Sequence, residues 1–524
     1  MRHITDLPAE VFTIIGDFLS CRNSIHSSVL TCKLFHEHFS HLLWKAVAVS
    51  ASDFHPGPDP ISLKAHAHLV HTLSYEGHLQ KEYYNISFPR LISLRLWING
   101  LKSSYQALDN DWSILVMLNR TVRDIEVLAY TSICLVDFWS AIVISLYSPR
   151  RLTINGTQLS VVMDDEDTRA FWGACGRFEE INYKGRDQVA TSRGFMDYDY
   201  SQLKRLRYKS TDFAPHAPGL VDWIGKCFNL TQFRWQYGVR LIPLQQFADL
   251  ALISTWPLLE DIRIGKTSGT DEQLGVILGH LPPLKHWKLK SGCFGQLAFD
   301  QLRDRHFGSI TTLRMPKVNT FTSHMALETL SNCPQLEVFE ACRISLEDLC
   351  LYPRPWACRR LRRLVVFVTM ASNQGDGTET LFFEQLSRLE QLEDIDVSQT
   401  PLLDSDYRAI FEPAPQWRLD HGLSQLSTLS QLRSFKCNRA MQDMRVEDVE
   451  WMLEHWPLLR VFSRRVSLDK DAQRLITALI EERGCNSISD HGFLVRYMTS
   501  IFDKRKYLRA YSTPLVTIQI SIFQ

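Results

Sequence analysis

The sequence predicts an α/β solenoid, in which a parallel sheet lines the inner side of a repetitive array, helices cover its outer side, and a small all-helical module stands in front. Three observations predict this architecture. A six-residue unit, apolar-x-x-apolar-x-apolar, recurs along about three-quarters of the chain, amphipathic stretches precede several copies, and the first 47 residues follow a purely helical pattern. A chain of 524 residues is also too long for one ordinary core, so several domains or an array must share the burial.

The helical pattern at the start of the chain predicts a small all-α module. Between residues 6 and 20, apolar residues recur at the spacing of one helix face; they are Val11, Phe12, Ile14, Ile15, Phe18 and Leu19. Pro8 falls in the first turn, where a missing amide hydrogen costs nothing, and Glu10 complements the helix dipole. A second apolar stretch runs from residue 29 to 44. The prolines and glycine between 53 and 60 then indicate a linker.

This module resembles an F-box over residues 4 to 46. The resemblance rests on a leucine-proline pair, apolar helix positions, a cysteine-lysine pair and a leucine-tryptophan pair, although Phe35 stands where many F-boxes have tryptophan. In that family the module docks onto a Skp-type adaptor and, through it, onto a cullin ubiquitin ligase. The resemblance therefore implies an adaptor-binding surface formed by Leu7, Pro8, Glu10, Val11, Ile14, Ile15, Phe18, Val29, Cys32, Lys33, Phe35, Leu43 and Trp44. The alternative is a capping helical hairpin for the array that follows.

The array is predicted from fifteen copies of the six-residue unit, most of them 25 to 31 residues apart. Their first residues are Val70, Leu91, Val122, Pro149, Phe178, Leu203, Leu230, Leu259, Leu284, Ile310, Leu336, Leu361, Leu392, Leu432 and Leu459. Helical periodicity precedes some copies, as in 322–333, 378–389 and 446–456, and a proline often separates helix from strand. Each unit is therefore a helix, a tight turn and a short strand, which can bury its apolar side only by stacking on its neighbours.

The strand cores LEDIRI, LKRLRY and LEDIDV resemble those of leucine-rich repeats, over roughly residues 70 to 470. The resemblance implies a leucine-rich-repeat horseshoe with a parallel inner sheet and outer helices. Together these patterns predict an F-box over 1–47, a linker with a short leading helix over 48–68, the solenoid over 69–470 and a C-terminal cap or tail over 471–524. The long interval between Leu392 and Leu432 leaves room for an insertion or a degenerate copy.

Alternation along the predicted strands places the second, fourth and sixth residues after each first residue on the concave face. Over the five copies from Leu203 to Ile310, eight of these fifteen positions are basic and only Asp261 is acidic. The basic residues are Arg205, Arg207, Lys209, Arg234, Arg263, Lys288, Lys290 and Arg314. They predict a groove for an acidic or phosphorylated segment of a target protein. Outside this stretch the sign changes, and the acids expected to flank the groove are Asp124 and Glu126 on one side and Asp394 and Asp396 on the other. The alternative is a set of solvated strand residues that aid solubility.

Composition and motifs favour a binding protein over an enzyme. Lysine plus arginine and aspartate plus glutamate both number 58, so overall charge predicts neither a nucleic-acid partner nor a membrane surface. The sequence contains no phosphate-binding P-loop, Gly-x-Ser-x-Gly elbow or His-Glu-x-x-His helix. Cys333, Cys342, Cys350 and Cys358 lack the close pairing of zinc sites, so we expect no metal and no cofactor.

The sequence thus predicts a substrate-recognition adaptor of a Skp/cullin/F-box-type ubiquitin ligase that catalyses nothing itself. The F-box would bind the ligase and the concave face would bind the target. With no apolar leader at its start and twelve scattered cysteines, the chain is expected in the cytoplasm, the nucleus or both. The alternative function is a leucine-rich-repeat scaffold or regulatory binding protein unrelated to ubiquitin.

Overall fold

The computed structural model describes most of the chain in fifteen stretches. These are residues 8–19, 22–51, 57–77, 79–98, 105–129, 135–156, 165–185, 198–210, 218–237, 244–253, 256–370, 377–398, 414–437, 442–463 and 466–488. The chain divides into two compact units, Met1–Thr320 and Phe321–Gln524. The sequence pattern does not predict this division, because the strand repeat continues through residue 320 with unchanged spacing.

The first unit opens with three helices, α1 (Ala9–Phe18), α2 (Arg22–Val29) and α3 (Lys33–Lys45). Their shared core consists of Phe12, Val29 and Phe39, and the half-buried residues packed against it are Ile15, Leu19, Ile25, Leu34, Phe35, Leu42 and Leu43. The amphipathic pattern of the sequence therefore does form an all-helical module. Gly16 allows α1 to approach α3 closely, since a Cβ there would lie 2.8 Å from the Leu42 side chain.

All fifteen predicted copies of the six-residue unit form strands, and each strand begins two residues after the first residue of its copy. In the first unit they are β2 (Thr72–Glu76), β3 (Ser93–Ile98), β4 (Asp124–Ala129), β5 (Arg151–Asn155), β6 (Glu180–Gly185), β7 (Arg205–Ser210), β8 (Gln232–Tyr237), β9 (Asp261–Lys266), β10 (His286–Ser291) and β11 (Thr312–Arg314). In the second unit they are β12 (Val338–Ser345), β13 (Arg363–Thr369), β14 (Asp394–Asp396), β15 (Ser434–Lys436) and β16 (Val461–Ser463).

The strands of each unit form a parallel sheet in chain order. In the first unit the pairing runs without interruption from β1 (Ala46–Ser50) to β11. In the second unit it runs from β12 to β17 (Asn486–Ile488), with one register shift between β12 and β13. Because consecutive strands pair in parallel and helices connect many of them, both units are α/β solenoids of the leucine-rich-repeat kind, as predicted.

Helices cover one face of each sheet. Those of the first unit are α4 (Pro60–Ala65), α5 (Lys81–Tyr84), α6 (Tyr105–Leu118), α7 (Val136–Ser145), α8 (Asp165–Cys175), α9 (Pro218–Gly225), α10 (Gln245–Ile253), α11 (Asp271–His280) and α12 (Gln296–His306). Those of the second are α13 (Ser323–Asn332), α14 (Leu346–Leu351), α15 (Gly377–Ser387), α16 (Val446–His455) and α17 (Lys470–Glu482). Alternate strand residues such as Trp235 pack against them, with its ring 6.1 Å from that of Phe247.

The two ends of the array differ from the predicted boundaries. Strand β1 starts directly after α3 and pairs with β2, so the sheet begins where the end of the F-box and the start of the linker were expected. Val47 and Val49 are buried, which explains the strand, but five residues were too short a pattern to detect. At the other end, β17 lies within the expected cap. Residues 489–524 of that cap, and residues 399–413 between Leu392 and Leu432, lie outside the described residues.

Candidate binding surfaces

Neighbouring strands carry the predicted basic residues in rows across the sheet. Arg207 pairs with Arg234, Arg234 with Arg263, Arg263 with Lys288, and Lys288 with Arg314. Adjacent strands in a sheet lie about 4.8 Å apart, so these five residues form one continuous basic row. The apolar residues on either side of each row member, such as Leu206 and Tyr208, are buried on the opposite face. The structure therefore brings the predicted residues together on the face away from the strand core.

Two buried carboxylates hold four of the predicted arginines. Glu180, only 4% exposed, lies 3.2 Å from Arg151 and 3.1 Å from Arg205 and also reaches Arg207 at 4.0 Å. Asp261, 1% exposed, lies 3.3 Å from Arg234 and 2.9 Å from Arg263. Two carboxylates offset only part of the charge of these four arginines, which are Arg205, Arg207, Arg234 and Arg263.

Asp261 was therefore wrongly counted as an exposed acid. The basic row surrounds it, and its charge is used inside the protein rather than presented to solvent. Glu180 escaped the sequence count because its strand precedes the five copies that were compared. Alternation placed both carboxylates on the correct face. It could not show that longer arginine side chains fold over them.

Arg234 lies between Arg207 and Arg263 in the basic row. Burial lowers the pKa of its guanidinium, and the neighbouring charges of Arg263 and Arg207 lower it further, while Asp261 opposes them. The Nε atoms of Arg207, Arg234 and Arg314 are buried without a hydrogen-bond partner. The ion pairs with Glu180 and Asp261 therefore offset part of the electrostatic repulsion among Arg207, Arg234 and Arg263.

Lysines lie at the carboxyl ends of the strands, beyond the basic row. Lys209 and Lys290 were predicted, whereas Lys266 and Lys317 were missed because they lie one residue past the alternating positions. Partial desolvation lowers the pKa of the Lys290 ammonium, and the charges of Lys266, Lys317 and Lys209 lower it further. No described acid forms an ion pair with Lys209, Lys266, Lys290 or Lys317. This surface is hereafter called the lysine cluster and comprises those four residues.

A polar concavity of about 490 Å³ lies on the same face over β3 to β7. Its walls alternate in charge, and Arg95 lies 3.0 Å from Glu126. Glu126 and Asp124 were expected to flank the basic groove, and Glu126 proves to be paired within its own wall. Asp394 and Asp396, the expected acids on the other side, belong to the second unit and lie 3.8 and 3.9 Å from the ammonium of Lys436.

The residues of the helical module that resemble an F-box divide by exposure. Pro8, Glu10, Ile14, Phe18, Cys32 and Lys33 are exposed, whereas Val11, Ile15, Phe35, Leu43 and Trp44 are half-buried and Val29 is buried. Ile14 and Phe18, one turn apart on α1, are 56% and 81% exposed, and Leu30 nearby in sequence is 71% exposed. Leu7 lies outside the described residues.

Several of these residues also have structural roles inside the module. Val29 belongs to its core, the Phe35 ring lies 5.8 Å from that of Phe12, and the Trp44 indole stacks on His66 at 4.1 Å. The apolar surface available to a partner is therefore narrower than the sequence suggested. It centres on Ile14 and Phe18.

The four cysteines weighed as metal ligands do not form a cluster. Cys333, Cys342 and Cys358 are buried free thiols, Cys350 is exposed, and burial raises the pKa of Cys358 to about 12. Within the described stretches, no three histidine, cysteine or acidic side chains lie together as metal ligands would. No helix in these stretches has both the length and the apolar character needed to cross a bilayer.

Comparison with known proteins adds little. No protein-family model matches the sequence, and no curated protein matches it. Among solved structures, the chain is similar to a Toll-like receptor in a crystal structure of a TLR13–ssRNA13 complex, with 12% identity and a TM-score of 0.35. The match covers 76% of this chain and 58% of the receptor chain, so the chain spans less than two-thirds of that protein's length.

Proposed function

We propose that this protein is the substrate-recognition adaptor of a Skp/cullin/F-box-type ubiquitin ligase, with the helical module binding the Skp-type adaptor and the solenoid binding the target. One observation carries the proposal: Ile14 and Phe18 project from one side of α1 into solvent although the module has its own closed core. Exposed apolar residues of this size on so small a domain are typical of a partner surface.

The solenoid supports the second half of this proposal. Its sheet presents a broad polar face in which arginines are already oriented by Glu180 and Asp261. Pre-oriented guanidinium groups lose less side-chain entropy when they bind carboxylates, which favours recognition of an acidic protein segment. Target binding by this face needs no catalytic group, so transfer of ubiquitin would be left to other subunits.

A second function, a repeat scaffold with no link to ubiquitin, is favoured by the joint between α3 and β1. The last helix of the module passes directly into the first strand of the sheet, as expected of a cap that closes the end of a solenoid. In that case Ile14 and Phe18 would bind some other partner.

The test is capture of a Skp-type adaptor and a cullin by the intact chain and by Ile14→Glu/Phe18→Glu. Because both side chains are largely exposed, the variant should keep its circular dichroism and melting temperature. We expect it to lose at least about tenfold in adaptor affinity, as for central interface residues. The matched control is Ile144→Glu on α7, which is 82% exposed and distant in sequence.

Two results would decide against the proposal. If the intact chain captures neither the adaptor nor the cullin, the scaffold function replaces it. If Ile14→Glu/Phe18→Glu captures both as well as the Ile144→Glu control does, α1 is not the docking surface. Leu7→Ala/Pro8→Ala tests the beginning of the same surface.

A further inference from the structure

The lysine cluster differs from Arg207, Arg234 and Arg263 of the basic row in having no described counter-charge. Residues 256–370 are described without a gap, which includes the carboxyl ends of β9, β10 and β11. The segments between these strands and the helices that follow, 267–270, 292–295 and 315–322, contain no acidic residue, and α11 then begins with Asp271 and Glu272. The Glu272 carboxylate accepts a hydrogen bond from the Thr270 side chain. Asp271 does not face the lysines as a free charge, because its carboxylate accepts hydrogen bonds from the amides of Gly295, Leu297 and Ala298.

The strand register explains how these lysines come together. Lys266 ends β9 and pairs with Ser291, the residue after Lys290 on β10. Lys317 follows β11, the next strand, by three residues. Because carboxyl ends of parallel strands meet at one edge of a sheet, the three lysines lie at the same edge. The charges of Lys266 and Lys317 both lower the pKa of Lys290, after the larger effect of partial burial.

Like charges gathered at one edge raise the free energy of the folded protein unless an anion joins them. The protein places Glu180 and Asp261 among its arginines, whereas no acid of the described stretches forms an ion pair with the lysines. The preformed charge thus points to an anion from outside the chain. Three ammonium groups from three successive repeats suit a phosphate dianion, whose oxygens can accept from three directions, better than one planar carboxylate.

We propose that Lys266, Lys290 and Lys317 form a binding site for the phosphate group of a phosphorylated protein segment. The segment continues over the neighbouring basic row at Arg314 and Lys288. An extended chain fits this surface because Lys290 and Lys317 are exposed at an open edge rather than inside an enclosed cavity. The biological use of the site rests on the proposed function, since the phosphorylated segment would belong to the ubiquitination target.

The first test measures binding of a short probe peptide with one central phosphoserine between glycine and alanine residues, and of the same peptide with serine. Calorimetry on the full chain at low salt should show tighter binding of the phosphorylated form, by at least about tenfold, with affinity falling as salt rises. Lys290→Gln/Lys317→Gln should remove that preference. The matched control is Lys204→Gln/Lys285→Gln, two exposed lysines of the same unit that pair with Glu179 and Glu260.

A second arm distinguishes the source of the phosphate by titrating inorganic pyrophosphate. If pyrophosphate binds through Lys290 and Lys317 while the phosphopeptide does not bind, the site serves a free anion and the proposed peptide ligand is wrong. If Lys290→Gln/Lys317→Gln binds the phosphopeptide as the control does, the site itself is wrong. Adaptor capture reports separately on the proposed function, because Lys290→Gln/Lys317→Gln leaves α1 unchanged.

Discussion

At the scale of single residues, His306 shows how one side chain joins successive repeats. Its Nδ1 accepts a hydrogen bond of 3.1 Å from the Leu284 amide, and its Nε2–H donates one of 3.0 Å to the Leu278 carbonyl. Both partners precede β10, whereas His306 ends α12. The ring satisfies them only in the neutral form, because a proton on Nδ1 would face the amide hydrogen of Leu284. Burial, with a smaller effect of the Arg305 charge, lowers the pKa of His306 to about 4, although the bond to the Leu278 carbonyl opposes this shift.

This pKa predicts acid sensitivity of the first unit. The folded pKa lies below the ordinary value of 6.5, so the unfolded chain binds the proton first as the pH falls. The contribution of His306 is therefore complete above pH 6.5 and is lost between about 6.5 and 4. At about 1.4 kcal/mol per pKa unit, the loss approaches about 3 kcal/mol. Urea unfolding at about pH 7.5, 6 and 4.5 measures this loss of stability.

The variant His306→Gln separates this effect from general acid denaturation. Glutamine carries one acceptor and one donor but does not titrate, so its stability should fall less over the same pH interval. His280→Gln is the matched control, because His280 is exposed on α11 and bonds only within its own helix. An equal pH dependence for wild type and His306→Gln would show that His306 does not govern the acid response.

At the scale of elements, acidic residues cap the helix of the following repeat. The Asp271 carboxylate, in the first turn of α11, accepts from the amides of Gly295, Leu297 and Ala298 at the start of α12, at 2.7, 2.9 and 3.0 Å. Asp109 on α6 likewise accepts from the amides of Asp137 and Phe138 at the start of α7. These carboxylates satisfy helix amides that would otherwise lack partners and complement the helix dipole.

Removing the Asp271 cap should destabilise the first unit. Asp271→Ala leaves several amides without an acceptor, and we expect a loss of about 1–3 kcal/mol in the free energy of unfolding. Gly295→Ala should act in the same direction, because its Cβ would lie 2.6 Å from the Asp271 carboxylate. Gly308→Ala is the matched control, since its Cβ would meet no atom within 4 Å. Chemical denaturation checks all three variants, and an unchanged midpoint for Asp271→Ala would contradict the capping role.

The contrast between strands and caps shows how far sequence reasoning reaches. Strands were predictable because each copy carries its own pattern, and the apolar residues at Leu203, Leu206 and Tyr208 identify β7 without reference to any neighbour. The caps were not, because Asp271 acts on amides 24 to 27 residues away. The binding face was partly predictable for the same reason. Alternation located the arginines, but only the stacked strands show that Glu180 and Asp261 form ion pairs with them.

At the scale of the whole molecule, the position of β1 determines where the helical module can be removed. Strand β1 pairs with β2 along its full length, so it protects the edge of the first sheet. A chain that starts at Ala46 should remain monomeric, whereas one that starts at Ala51 exposes the unpaired edge of β2 and should aggregate. Light scattering at increasing concentration distinguishes them. Equal behaviour of the two truncated chains would show that β1 gives no protection.

The two-unit division and the exposed side of α1 were beyond the reach of the sequence for a common reason. Both depend on how tightly elements pack, and the six-residue pattern is equally regular on either side of Thr320. Similarly, one apolar stripe on α1 contains the buried Phe12 and the exposed Phe18, and only the packed helices distinguish them.

The joint between α3 and β1 has a mechanical consequence. Lys45 ends a helix and Ala46 begins a strand, and the Lys45 carbonyl also accepts from the amide of His71. No linker separates the two elements. A partner bound at α1 would therefore keep a fixed orientation and distance relative to a partner bound on the first sheet. Inserting several glycines after Lys45 would remove this constraint. If the chain acts as the proposed ligase adaptor, ubiquitin would then reach a wider set of lysines on the target.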